Sequence, residues 1–197
     1  MLDLVNALLD VSRIELGTMP ISPEPLDLSE IAKSVLMEHK PQIDSKKLHI
    51  EEKYQEGLEK FNADRKIMRM IFENLISNAI KYTPNEGNII VELSREAATP
   101  EEATNPSGWM SIKVSDNGIG IPPEQQDKVF DKMFRADNVK ELDVSGSGLG
   151  LYILKSVIDG VGGKIYFTSE LNKGSVFFVK LPASGMQKVT GSKPIVT

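Results

Sequence analysis

Three short clusters hold the residues whose types and spacing could do chemistry. The run "SDNGIGIP" at 115–122 places Asp116 at a strand end, with Gly118 and Gly120 just beyond it. A carboxylate there can accept a hydrogen bond from a buried amino group, and the bare backbone lets a flat ligand lie close. The amino group of an adenine ring is such a donor. An isolated Asp-Asn-Gly is also an ordinary turn, and for this run alone the turn is the better reading.

The second cluster is "GSGLGLYI" at 146–153, where Gly146, Gly148 and Gly150 precede or open an apolar helix. Bare amides at a helix N-terminus suit phosphate. No Gly-Lys-Ser/Thr follows, and no strand leads straight in, so neither a Walker loop nor a dinucleotide fingerprint fits. The third cluster is "ENLISNAIKYTP" at 73–84. Asn74 and Asn78 are four apart and share a helix face. An amide oxygen is a fair ligand for Mg²⁺, which keeps waters and takes other ligands from phosphates. Lys81 would add charge for phosphate, and Tyr82 can lie along a base or sugar. Each of these residues, taken singly, reads more readily as part of a polar helix face.

The elements that must hold these clusters are legible. Asp64 opens a helix through Ile67, Met70, Ile71, Leu75 and Ile76 to about Tyr82, with Pro84 after it. "KLHIEEKY" at 47–54 alternates like a half-buried strand, and "NIIVELS" at 88–94 and "WMSIKVSD" at 109–116 are strands. Between the last two, 95–108 reads as a long exposed hairpin loop rich in Ala, Glu, Thr and Pro. A short helix fits 123–130, and an apolar helix fits 148–159. "KIYFTSE" and "SVFFVKLP" form a closing hairpin through "LNKG" at 171–174. Upstream, "SPEPLDLSE" at 22–30 is an extended linker, then a cap, with Asp27 or Ser29 starting a helix of about 30–40. Residues 1–17 have heptad rhythm without an N-cap and read as the tail of a longer helix. The tail from Ala183 has no pattern and is expected to be disordered. Helices interleaved with strands predict an α/β two-layer sandwich, a mixed sheet packed on about three helices and preceded by a helix.

Composition narrows the function classes. The chain has 197 residues, 40% of them apolar, enough for one full domain and an appendage. Lys and Arg number 23 against 28 Asp and Glu, a net charge of −5, so a basic nucleic-acid footprint is absent. There is no cysteine and only two histidines, which leaves no disulfide and no ordinary zinc site. No run of roughly 20 apolar residues is present to span a membrane, and Asp3 and Asp10 interrupt the N-terminal apolar stretch, against a signal peptide. The expectation is a soluble, cytosolic, globular protein.

In this order, the clusters resemble the catalytic, ATP-binding domain of sensor histidine kinases, a member of the GHKL superfamily with gyrase, the HSP90 chaperones and the MutL repair proteins. "NLISNAIKYTP" resembles that family's N box, "DNGIGIP" its G1 box, "FDKMFRAD" at 130–137 its F box and "GSGLGL" its G2 box; "KGSVFFVKLP" at 173–182 resembles the closing strand. Residues 7–17 resemble the end of the second helix of the dimerisation and histidine-phosphotransfer domain. Each box is modest alone; five in order are specific. The resemblance implies a division into 1–20 (dimerisation-helix end), 21–182 (ATP-binding domain, with a mobile lid at 131–147) and a tail at 183–197. It implies that Asp116 binds the adenine amino group, that Gly118 and Gly120 make room for the ring, and that Ser175 supports the site through water. Asn78 would coordinate Mg²⁺, with Asn74 positioning water or metal, and Lys81 and Arg135 would contact phosphates. Tyr82, Ile121, Phe134, Gly146, Ser147, Gly148, Leu149 and Gly150 complete the implied binding set for ATP or ADP. Asn74, Lys81 and Arg135 would be the catalytic residues, since phosphoryl transfer needs mainly positioning and charge neutralisation. The implied partners are a phosphoacceptor histidine and a response regulator. The whole protein would be a homodimer attached to a membrane, with this portion on the cytosolic side.

Three departures stand out. Met133 replaces the first of two aromatics before Arg135, and is expected to fill the same gap. Val161 stands where a polar residue is usual. The H box is missing: His39 reads as an exposed helix-end residue and His49 as a strand residue at the surface or rim, neither with an acceptor's neighbours. Three functions remain open: a histidine-kinase catalytic fragment, a GHKL-type ATPase or nucleotide-gated switch, and a module that only binds nucleotide or a partner. The ATPase relatives carry a glutamate where Asn74 stands. Glu73 is one residue off, about 100° around the helix.

Overall fold

The computed structural model describes residues 20–98, 106–140 and 147–189. The expected helix at 1–17, residues 99–105 of the expected 95–108 loop, and residues 141–146 of the expected lid, Gly146 among them, lie outside the described residues. A five-stranded mixed sheet has the order β2 (His49–Tyr54), β4 (Asn88–Glu96), β5 (Trp109–Asp116), β7 (Gly174–Pro182), β6 (Lys164–Glu170). β2 and β4 are parallel and the other pairs antiparallel. Helix α1 (Leu28–Glu38) is followed by the short α2 (Lys40–Lys46). The long α3 (Arg65–Tyr82) packs between α1 and α5 (Gly150–Gly160) on one face of the sheet, and a single turn, α4 (Asp137–Lys140), lies between the last two in sequence. The sandwich predicted from the sequence is the one observed.

The long helix owes its limits to local chemistry. Asp64 accepts from the N–H groups of Lys66 and Ile67 at 2.9 and 3.3 Å, capping the first turn. Its other oxygen accepts from Ser22 N–H at 2.9 Å. Ile67, Met68, Ile71, Phe72, Leu75, Ile76, Ala79 and Ile80 form one continuous buried stripe. They meet the inward side chains of the sheet: Ile89, Val91 and Leu93, then Ile112 and Val114, then Phe177, Val179 and Leu181. Of the two cap candidates before α1, Asp27 is the one that accepts from Ser29 and Glu30.

Four expectations are corrected. The stretch at 22–30 contains a short strand, β1 (Glu24–Leu26), which pairs with β3 (Phe61–Ala63) in a separate two-stranded sheet. The tail is not patternless throughout. Ala183 and Met186 are buried, Met186 N–H bonds Asn62 C=O at 2.9 Å, and Val189 bridges Ile21. Two apolar side chains and a handful of backbone bonds suffice to hold 183–189 against that small sheet. The short helix after Pro122 is a 3-10 turn over Pro123–Lys128. His39 is not exposed: its ring nitrogens lie 2.8 Å from Glu73 Oε1 and 3.1 Å from Gln42 Oε1, at the junction of α1 and α2. His49 is exposed at the start of β2, as expected.

Candidate functional site

The inward face of the sheet changes character at one end. Val114, Phe177 and Phe167 are register partners across β5, β7 and β6, and two residues further on the partners are Asp116, Ser175 and Ser169. An apolar row is thus followed by a polar row in the same layer. The position extends the core, so the Asp116 carboxyl is largely withdrawn from water. Burial pushes it up to about 6, against the Gly118 and Ser175 N–H groups that favour its charged form. Gly118 N–H donates to Oδ1 at 2.9 Å.

The loop after Asp116 is held on both sides by backbone. Ile119 N–H bonds Tyr82 C=O at 3.2 Å, and Asn172 N–H bonds Ile119 C=O at 2.8 Å. A Cβ at Gly120, where φ is +62°, would overlap the carbonyl of Glu170, and one at Gly118 would overlap that of Tyr82. Both glycines are therefore required by close approach of other strands and helices to the loop. Ile121 N–H donates to Ser169 Oγ at 2.9 Å. The Gln126 amide donates to the carbonyls of Ile121 and Ser169 at 3.0 and 3.1 Å.

The C-terminal turns of α3 form one wall, from Asn78 through Ala79 to Tyr82. Lys81 Nζ stands 5.1 Å from the Tyr82 ring centre. Burial, then the Arg135 guanidinium, holds Lys81 below its ordinary range; burial raises the Tyr82 phenol while Arg135 opposes the rise. Lys81, Tyr82 and Arg135 therefore form one electropositive cluster at the cavity rim. Lys46 fixes the end of this helix, donating to the carbonyls of Ile80, Lys81 and Thr83 at 2.7, 3.0 and 2.7 Å.

The opposite wall is the start of α5. Its N-cap residue, Leu149, offers no side-chain oxygen to the first-turn amides. Ser147 Oγ accepts from Leu149 N–H at 3.3 Å. Gly148 has φ +69°, and a Cβ there would overlap the backbone of Met133 and Phe134. Phe134, Arg135, Ala136 and Val139 close the mouth. Asn138 donates to Gly120 C=O at 3.0 Å, and Gln125 and Asp137 exchange two hydrogen bonds, 2.6 and 2.9 Å. Met133 does not fill an aromatic's place: it is 63% exposed, with φ +59°. The left-handed backbone turns its side chain outward.

These walls enclose a cavity of about 240 Å³. Among the predicted residues, Asn78, Tyr82, Asp116, Gly120, Ile121, Phe134, Arg135, Ser147, Gly148, Gly150 and Ser175 line it. Asn74, Lys81, Gly118 and Leu149 do not. Asn74 spends its amide N–H on Met70 C=O at 2.9 Å, and its oxygen lies where a Cβ on Gly150 would stand. It stands between α3 and α5, against the cavity-lining Gly150. Leu149 is a buried anchor of the same junction. The apolar walls, Ile119, Val129, Ala136, Val139, Leu151 and Phe177, were not anticipated as site residues, and neither was Ser169. A polar residue at the inward position of the alternating run Ile165, Phe167, Ser169 is the signal that singles it out. The lining combines the buried acceptor Asp116, apolar walls, the Arg135 guanidinium and the N-terminal turn of α5, the kinds of group that a nucleotide would need. A divalent cation would meet Asn78 and otherwise phosphate and water.

A family profile described as "Histidine kinase-, DNA gyrase B-, and HSP90-like ATPase" matches residues 63–185. The circadian input-output histidine kinase CikA of Synechococcus elongatus is 31% identical over 199 residues, covering 100% of this chain and 25% of that protein. The autoinducer 2 sensor kinase/phosphatase LuxQ of Vibrio vulnificus is 33% identical over 183 residues, covering 92% of this chain and 21% of that one. This chain thus spans a quarter or less of the length of these two relatives. Full-length ShkA, crystallised with AMPPNP, is 25% identical, with a TM-score of 0.77 over 96% of this chain and 37% of that one. With the glycine-cradled cavity at the end of this mixed sheet, these likenesses establish that the chain belongs to the histidine kinase-, DNA gyrase B- and HSP90-like ATPases, as a catalytic ATP-binding domain of the histidine-kinase kind.

Proposed function

We propose that this chain binds Mg-ATP in the cavity between α3 and α5 and presents the γ-phosphoryl group to a histidine carried elsewhere in the full kinase. One observation carries the reading. The acceptors Asp116 and Ser175 and the glycines at the start of α5 line a single cavity together with Arg135, whose charge acts on Lys81. In this reading Asp116 accepts from the adenine amino group, and the Tyr82 and Phe134 walls flank the ring and sugar. Arg135, Lys81 and the amides at Gly148–Gly150 neutralise phosphate charge. Asn78 would hold a Mg²⁺ ion, which would supply charge neutralisation to the transferring group. An imidazole nitrogen attacks the γ-phosphorus, the bond to the β–γ bridging oxygen breaks, and ADP leaves. No acid–base group is needed from this chain.

Glu73 bears on the rival reading of water activation. Its carboxylate is engaged by His39 on the far side of α3, which disfavours hydrolysis as the main activity. The same contact, with Gln42 on the other ring nitrogen, disfavours His39 as acceptor. The remaining parts of the reading are a domain beginning near residue 21, with 131–140 folding over the mouth, in a dimeric, membrane-attached kinase that serves a response regulator on the cytosolic side. No described helix is long and apolar enough to cross a membrane. Incubating the chain with labelled Mg-ATP and a separate histidine-containing dimerisation domain, then quenching in alkali, is the test. Label on the added histidine is expected. Free phosphate alone, or no label anywhere, would reject transfer to histidine.

A further inference from the structure

The polar row at the cavity floor has a proton count with one solution. Ser169 Oγ has three neighbours: Ile121 N–H at 2.9 Å, Gly174 C=O at 3.0 Å and Ser175 Oγ at 2.9 Å. A hydroxyl has one proton and two lone pairs. Ile121 N–H can only donate, so it takes one lone pair. Gly174 C=O can only accept, and two oxygens at 3.0 Å with no proton between them repel. The Ser169 proton therefore goes to Gly174. The remaining lone pair faces Ser175, whose own proton must fill that contact. Ser175 is left with lone pairs alone for the cavity, beside the Asp116 carboxylate that its backbone N–H supports.

We propose that Ser169, which does not line the cavity, is a specificity-setting positioning residue: by taking the Ser175 proton it makes the floor an all-acceptor surface, selecting a purine that carries an amino group over one that carries an oxo group at the same place. This rests on the nucleotide reading above and deepens it. An amino group offers two protons to such a floor. An oxo group at the same place would meet lone pairs from Asp116 and Ser175; the N1–H that comes with it lies beside that place and would have to shift to be paired, so the acceptor surface discriminates against it. Without the Ser169 hydroxyl, Ser175 is free to rotate and donate to an oxo group.

The test compares the affinities of the chain for Mg-ATP and Mg-ITP, the 6-oxo analogue, by titration calorimetry. Ser169→Ala is expected to narrow the ATP-over-ITP preference by about five-fold, one ordinary hydrogen bond's worth. Ser169→Thr, which keeps the hydroxyl, is expected to restore it. In a Ser175→Ala background, Ser169→Ala is expected to leave the ratio unmoved, because the effect travels through Ser175. Should Ser169→Ala not fold, Ser169→Cys, similar in size and a poor donor, carries the same comparison. If both nucleotides weaken by the same factor, Ser169 is only a strut and the proposal falls, while the nucleotide reading stands. If the unaltered chain binds neither nucleotide, both fall.

Discussion

Asp116 on β5 and Ser175 on β7 are direct cross-strand partners. Their row is the next inward row after Val114 and Phe177, so a carboxylate occupies a position that the rest of the sheet gives to hydrophobic side chains. The apo protein bears the cost of burying that charge, and the cost has a pH signature.

Asp116→Asn is expected to stabilise the ligand-free protein at neutral pH. The native carboxyl, pushed up to about 6, holds its proton more tightly than in the unfolded chain. Between the unfolded value and about 6 the native state therefore binds more protons, and stability falls as pH rises through this window. The gain from Asn, roughly 2–3 kcal/mol for a rise of about two units, should be full above about pH 7 and vanish below about pH 4. Thermal melts across pH check this; a variant less stable than the parent at neutral pH would contradict it.

Nucleotide affinity should run the other way. The adenine amino group needs the ionised carboxylate, so affinity for Mg-ATP should drop as pH falls from about 7.5 to about 5. Asp116→Asn should be weak throughout, and should lose the part of the pH dependence centred near 6. Titration of a fluorescent ATP analogue at fixed ionic strength measures both. The same pH profile in the two proteins would assign the titration to the ligand's phosphates instead.

Asn78→Ala should weaken Mg-ATP binding by about ten-fold while changing metal-free binding little. Asn78 lines the cavity, whereas Asn74 is committed to Met70 and to spacing Gly150. Titrations with Mg²⁺ and with EDTA distinguish a cation ligand from a general wall residue, which would lower both alike.

Lys46→Met should cost about 1–2 kcal/mol of stability. It would leave three carbonyls at the end of α3 without their shared donor. The ammonium is partly buried, and burial alone holds it below its ordinary range, so the methionine stem can be accommodated. ATP affinity should fall less than in Asp116→Asn, because Asn78 lies a turn before the carbonyls that Lys46 holds. Urea denaturation gives the first quantity and calorimetry the second.

By itself the sequence determined the elements and the order of the clusters. Asp64 and Pro84 bracket a helix whose apolar spacing is visible over five turns, and the alternation in 109–116 and 164–182 places strands within a residue or two of those observed. The glycines at 118, 120 and 148 were legible because only a tight backbone explains them together. Tertiary structure decided what those pieces face. Ser169 becomes important only when the β6–β7 register sets it beside Ser175, and Lys46 only when α2 lands at the end of α3. Asn74 and Asn78 look equivalent on a helical wheel, but Gly150 approaches one and leaves the other open to the cavity. Likewise β1, β3 and the segment 183–189 are too short to announce themselves, and exist as structure because each supplies the others' backbone partners. Local pattern fixes local conformation, since its energies act over a few residues; a site depends on contacts across the chain, which no short window contains.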